Sequence, residues 1–553
     1  MKLPWLLDTV LGLLVVVVLP LAILAIPNTV SIVADLLPGQ LDRIGVSRAH
    51  GLALPAMMLT VPLAAVLLSR LKVAYVLIAG LALLAVADAA GGYVGSTFLV
   101  GVLRVLHGVG AGVLISATLV AVWERPPLMR ALWSGLMAVG MLGAQALALW
   151  PLDKTDRWQV TLQPYPLLTG LALALAAIYL LVWVLNGESV SPAPKARERS
   201  RLLLATVPAA GIAVLAISTA SQDWRDLLVV LVAVLAISAL LALATIGTGE
   251  SRMLAYTFVA VGVVLLPTSA QMTYVEMGGL GGPGLSGLWQ PLVAATLLAV
   301  IAAGLVGAFG RGRWLTTAGL LTMVVGLCAV RVVVPSATGT LLVIPYSLMA
   351  VGAAVALTAA LRKAGVGAAL FGLALCFPGV LAGYVLGTGV QMMMLRPATS
   401  AQGLVDGFVR ALHWWALIGG FLVVAVIVLA ALLSRRSGES GTAGGTLGEL
   451  AATPVVQPCG GELREEVADD LRVDKRVSVG TAAGGRLVAS ASREPAGEKD
   501  DRVESEGAAD PFEEEDRPTG EIPRVPAPVD GQSEPVIPAV PPPAQSPEDD
   551  ETP

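Results

Sequence analysis

Runs of about 20 apolar residues recur along this chain, each bounded by a short stretch that carries charge. A helix of that length spans the roughly 30 Å hydrocarbon core of a bilayer while bonding every backbone group within itself. A water-soluble interior could not absorb so many runs: 56% of the 553 residues are hydrophobic, 14% are charged, and mean hydropathy is +0.79. A transmembrane β-barrel is excluded, because its strands are short and alternate apolar with polar, whereas these runs are continuously apolar. The fold class is therefore an all-α polytopic membrane protein. Hydropathy places spans near 10–33, 50–69, 73–90, 96–122, 131–150, 165–186, 202–219, 227–247, 253–275, 288–309, 314–334, 340–361, 365–388 and 411–433, fourteen in all.

Loop charge gives an independent check, since cytoplasmic loops carry an excess of Lys and Arg. With the N-terminus inside, 16 basic residues fall on inner segments and 8 on outer ones, Arg70, Lys72, Arg311 and Arg313 among the inner set. Both termini are then expected in the cytoplasm, with the protein in the plasma membrane. The first run is too long for the apolar region of a cleaved signal, so it is expected to remain as a helix. After Arg436 the composition changes: 26 acidic and 10 basic residues follow it, against 14 and 25 before it. That acidic, Pro-rich segment, 437–553, has too little apolar surface to fold and is expected to be disordered, with a cytoplasmic protein as its possible partner.

Two stretches of the membrane part match. Arg70 and Lys72 precede Ala79-Gly80-Leu81, while Arg311 and Arg313 precede Ala318-Gly319-Leu320. The match suits two six-helix bundles, 1–186 and 251–436, separated by a basic linker and two inserted helices, 187–250. Parallel repeats of this kind build one large class of secondary transporters, whose binding site lies between the halves.

Arg104 sits inside the fourth run, where a charge costs roughly 2.5 to 3.5 kcal/mol on insertion scales. Such a residue is a functional candidate, and a hydrogen bond to the backbone carbonyls of a broken neighbouring helix is the structural alternative. His107 lies one helical turn further on, followed by Gly108, Gly110 and Gly112. An Arg, a polar residue three positions later, closely spaced glycines and a 6+2+6 layout together resemble the fourteen-helix drug:proton antiporter branch of the major facilitator superfamily, over about 1–436. Asp156-Arg157-Trp158 is similar to that family's entry to its sixth helix. The resemblance implies that Arg104 helps couple proton movement to substrate movement, with a proton gradient as the energy source and no bound cofactor.

The chain differs from the family pattern in its loop Leu68 to Lys72, which lacks the Asp and glycines. It differs again at Ile26 to Val30, which has no acid, and after Gly135, Gly140 and Gly143, where Ala144-Gln145-Ala146 follows. No carboxylate is expected deep in a span: Asp35, Asp88 and Glu276 read as outer ends or loops. His107 is then the titratable group nearest to Arg104, either as a proton carrier or as a packed, hydrogen-bonded side chain.

Gly379, Gly383 and Gly387 repeat at every fourth position after Pro378, a spacing that lets helices approach closely for packing or gating. Gln145, Gln271, Tyr274, Gln290 and Tyr346 are the polar candidates for a cavity. With so few charges, the expected substrate is apolar or amphipathic. No ATP-binding loop, metal-ligand cluster or activated nucleophile is evident, so neither an enzyme nor a nucleic-acid binder is expected. The expected function is secondary transport, in the export direction. The alternative is a non-transporting scaffold that acts through its tail.

Overall fold

The computed structural model describes residues 4–30, 32–39, 41–154, 157–186, 196–219, 225–246, 250–277, 283–312 and 314–449, which are helical and contain no strand. Fourteen helices among them are long and apolar enough to cross a membrane. Spans 1 to 6 are Trp5–Leu24, Arg43–Leu67, Val73–Gly91, Thr97–Trp123, Pro127–Leu152 and Trp158–Leu185. Spans 7 and 8 are Arg199–Thr219 and Asp226–Ala244. Spans 9 to 14 are Ser251–Glu276, Gly284–Phe309, Leu315–Val333, Thr340–Leu361, Val366–Leu395 and Gln402–Leu433. The chain is a multi-pass membrane protein.

Span 1 ends well before the hydropathic run does. Its helix stops at Leu24 and the last turn tightens, Ala25 and Ile26 donating to the carbonyls of Ala22 and Ile23. Pro27 has no N–H to continue the ladder and disfavours the helical region for the residue before it. The chain therefore runs unwound through Pro27–Thr29, with its carbonyls turned to other partners. Span 2 opens with a short helix, Arg43–His50, whose N-cap Asp42 accepts from the amides of Ile44 and Gly45. At the other end of the chain the last helix runs Ala401–Glu449, past the compositional boundary at 437, and no proline interrupts it before Pro454. The rest of the acidic segment, 450–553, lies outside the described residues.

The packing of spans 1–6 recurs in spans 9–14. Span 4 lies against spans 1, 2 and 3, span 1 against 5 and 6, and span 3 against 6. Likewise span 12 lies against 9, 10 and 11, span 9 against 13 and 14, and span 11 against 14. The two groups meet where span 5 packs on 9, 10 and 12 and where span 2 packs on 13. Span 7 sits against 2 and 13, and span 8 against 13. Spans 4, 5, 9 and 13 are mostly buried, whereas 6, 7, 8, 10, 11 and 14 show much of their surface. In lipid that exposed apolar face carries no penalty, so helix association depends on close packing and polar contacts instead.

Candidate functional site

Arg104 is buried, 3% exposed, and its guanidinium holds three backbone carbonyls. Nη2 donates to Ala25 at 2.6 Å and Pro27 at 3.1 Å, both at the unwound end of span 1, and Nε donates to His50 at 2.8 Å. The broken helix thus supplies acceptors that an intact one would have used internally, and the rigid fork of Arg ties spans 1, 2 and 4 together.

Asp88 and Glu276 lie at span ends, as expected, but they are helical and buried, which corrects the reading of them as loop residues. Asp88, 6% exposed, belongs to span 3 and faces His107 on span 4, with Oδ1 2.8 Å from Nε2. Its other oxygen accepts from the hydroxyl of Thr169 on span 6. The opposite ring nitrogen of His107, Nδ1, lies 2.8 Å from the carbonyl of Leu103. Asp88 also acts electrostatically on Arg104. His107 therefore has the Asp88 carboxyl group in hydrogen-bonding contact as well as the Arg104 guanidinium one turn away. Glu276, fully buried at the end of span 9, accepts from the backbone amide of Ser336 and so anchors the loop between spans 11 and 12. The side chain of Asp35 lies outside the described residues.

Beside this cluster a cavity of about 290 Å³ opens between the two groups of helices. It is lined by Asn28, Gln145, Gln271, Tyr274, Tyr384, Thr388 and Gln391, together with apolar residues such as Ile26, Leu54 and Leu381. None of these side chains is charged. One polar chain crosses it: Gln145 of span 5 donates to the Tyr274 hydroxyl of span 9 at 3.2 Å, Tyr274 donates to the Asn28 carbonyl at 3.5 Å, and the Asn28 amide donates to Ser47 of span 2 at 2.9 Å. Gln271 Oε1 and the Tyr384 hydroxyl are buried without a partner among the described residues. Gln290 does not join the site, because it is exposed on span 10, and Tyr346 is fully buried in span 12, away from the cavity lining. Asn28, Tyr384, Thr388 and Gln391 were not singled out by the sequence. Their only signal is a polar side chain near the end of an apolar run.

The cavity lies at the ends of the spans remote from the basic loops. At the basic end spans 5, 10 and 12 close against each other, with the Ser134 and Thr358 hydroxyls 2.6 Å apart and Gly135 against Ala303. Arg362 completes the seal by donating to the carbonyls of Val306 and Gly307 at the end of span 10. Arg70, Lys72 and Arg311 are exposed on that face, while Arg313 lies outside the described residues. Gly108 and Gly112 face span 2, where an added methyl would collide with the Ala53 carbonyl or lie 2.9 Å from that of Met57. Gly110 faces span 3 at Gly80 instead. Gly379, Gly383 and Gly387 all face span 9, at Val259, Val263 and Gln271.

No family model and no curated protein matches the chain. Among solved structures it is similar to that of the major facilitator superfamily proton:xylose symporter XylE bound to 6-bromo-6-deoxy-D-glucose. The identity is 15% and the TM-score 0.48, with 78% of this chain and 94% of that chain covered.

Proposed function

We propose that this chain is a secondary transporter of the major facilitator kind, moving a neutral amphipathic small molecule by alternating access and, with its basic loops in the cytoplasm, exporting it across the plasma membrane. The observation that carries the reading is the one-ended cavity between two helix groups of repeated packing. Its basic end is shut by Ser134, Thr358 and Arg362, and its other end is lined by uncharged polar groups. An uncharged wall favours a neutral ligand, because an ionised one would leave water without gaining a counter-charge. Gln271 Oε1 and the Tyr384 hydroxyl supply unused hydrogen-bonding capacity, and the apolar remainder suits the rest of an amphipathic molecule.

Proteoliposomes carrying the full chain and an imposed pH gradient, assayed with a panel of neutral amphipathic compounds, test this. At least one compound should accumulate, and Gln271→Leu should weaken its uptake by about tenfold, as expected for one lost hydrogen bond of about 1.4 kcal/mol in a buried site. If nothing is transported, and deleting 437–553 alone abolishes the cellular phenotype, the scaffold reading takes its place.

A further inference from the structure

Donor and acceptor counting around His107 fixes a proton. The carbonyl of Leu103 can only accept, so Nδ1, 2.8 Å away, carries hydrogen. With that position filled, the 2.8 Å contact between Nε2 and Asp88 Oδ1 requires one further proton, either on the ring as imidazolium or on the carboxyl group. Without it a nitrogen lone pair would face a carboxylate oxygen at hydrogen-bonding distance. The second carboxylate oxygen offers no relief, since it already accepts from Thr169.

We propose that Asp88 and His107 together bind one exchangeable proton, and that its release loosens the clasp by which Arg104 holds the unwound end of span 1. The transporter reading above gives this site its use as a coupling device. Balance is simple: the proton passes to water, and a carboxylate and a neutral imidazole remain. Once the pair parts, the cation that acts on Asp88 is Arg104, whose Nη2 is engaged by Ala25 and Pro27 and whose Nε is engaged by His50. A turn that brings Nε or Nη2 to Asp88 frees those carbonyls. The segments they belong to contribute Ile26, Asn28 and Gly51 to the cavity wall, and Asn28 is bonded to Tyr274 across the interface. Proton loss in span 3 is thereby felt where a substrate would sit.

A void of water-molecule size lined by Asp88, Arg104 and His107 has room for one water to receive the proton. The titratable and charged groups that face the pair are few. Arg104 comes from span 4, Tyr165 from span 6 and His50 from span 2, its Nε2 turned to the carbonyl of Thr161. Span 1 lines the void with no titratable side chain.

The test needs no substrate. Full-length protein labelled with 15N-histidine in nanodiscs is titrated by NMR, with His107 assigned by its absence in His107→Gln. In parallel, electron-spin distances are measured between labels replacing the exposed residues Ile44 and Leu341, one on each helix group. The expected result is one step in which Nε2 of His107 passes from sharing the pair's proton to a bare ring nitrogen while Nδ1 stays protonated, with the label distance shifting over the same pH range. Asp88→Asn and His107→Gln should each hold the distance constant, so the failure of one variant to fold leaves the other as the test. In the titration three results overturn the proposal: the distance shift persists in either folded variant, the pair loses its shared proton while the distance stays fixed, or the pair keeps it throughout the range in which the protein is folded. Gradient-driven uptake unaffected by either variant would reject the proton clasp and leave transport standing. A proton-linked distance change with no compound transported would do the reverse.

Discussion

Asp88 shows how much one residue's meaning depends on its neighbours. In sequence it stands less than one turn from the end of an apolar run, where a carboxylate ordinarily reaches water. Packing of spans 4 and 6 over that turn encloses it, and His107 and Thr169 then provide hydrogen bonds in place of the lost hydration. Removing one member of a buried pair strands the other, at roughly 3 to 5 kcal/mol. Asp88→Ala is expected to lower stability by about that amount. Asp88→Asn retains the hydrogen-bonding groups and is expected to cost about 1 kcal/mol, as for one altered hydrogen bond. Thermal unfolding of the two purified variants checks this, and equal losses would mean that the carboxylate is not satisfied by this pair.

At the scale of helices, close approach rests on small residues set against backbone. A methyl at Gly108 meets the Ala53 carbonyl and one at Gly383 meets the Val263 carbonyl, and neither oxygen can move without its helix. Gly108→Ala and Gly383→Ala should each destabilise by about 1 to 3 kcal/mol. Gly170, exposed on span 6 with nothing within 4 Å of an added methyl, should gain up to about 1 kcal/mol on the same change, because Ala is the better helix former. Size-exclusion profiles after graded heating compare all three, and a Gly108→Ala protein as stable as the parent would refute the tight contact. The spans themselves were legible in the sequence because length and hydropathy decide them. The early end of span 1 was less so, since Pro27 breaks the helix while hydropathy stays high. Spacing placed Arg104 beside His107, but nothing local places Asp88, Thr169 or the carbonyls of Ala25 and Pro27 beside them. Those neighbours come from three other segments, and only tertiary packing assembles them. The choice of Gln290 and Tyr346 failed for the same reason, because a polar residue in a span does not reveal which way its helix turns.

For the whole molecule, alternating access as proposed sets one requirement: the seal at the basic end must open while the cavity at the other end closes. Repeated packing in spans 1–6 and 9–14 provides two bodies able to rock about the contacts of span 5 with 9, 10 and 12 and of span 2 with 13. The seal has a point that can be locked, since the hydroxyls of Ser134 and Thr358 lie 2.6 Å apart on spans 5 and 12. Cysteines at both positions come within reach of a disulfide. The most direct measurement is gradient-driven uptake of the transported amphipathic compound by proteoliposomes carrying Ser134→Cys with Thr358→Cys, first oxidised and then reduced. Alternating access predicts that uptake stops when the bond forms and returns when it is reduced. Uptake that continues at the parent rate with the bond intact would contradict it.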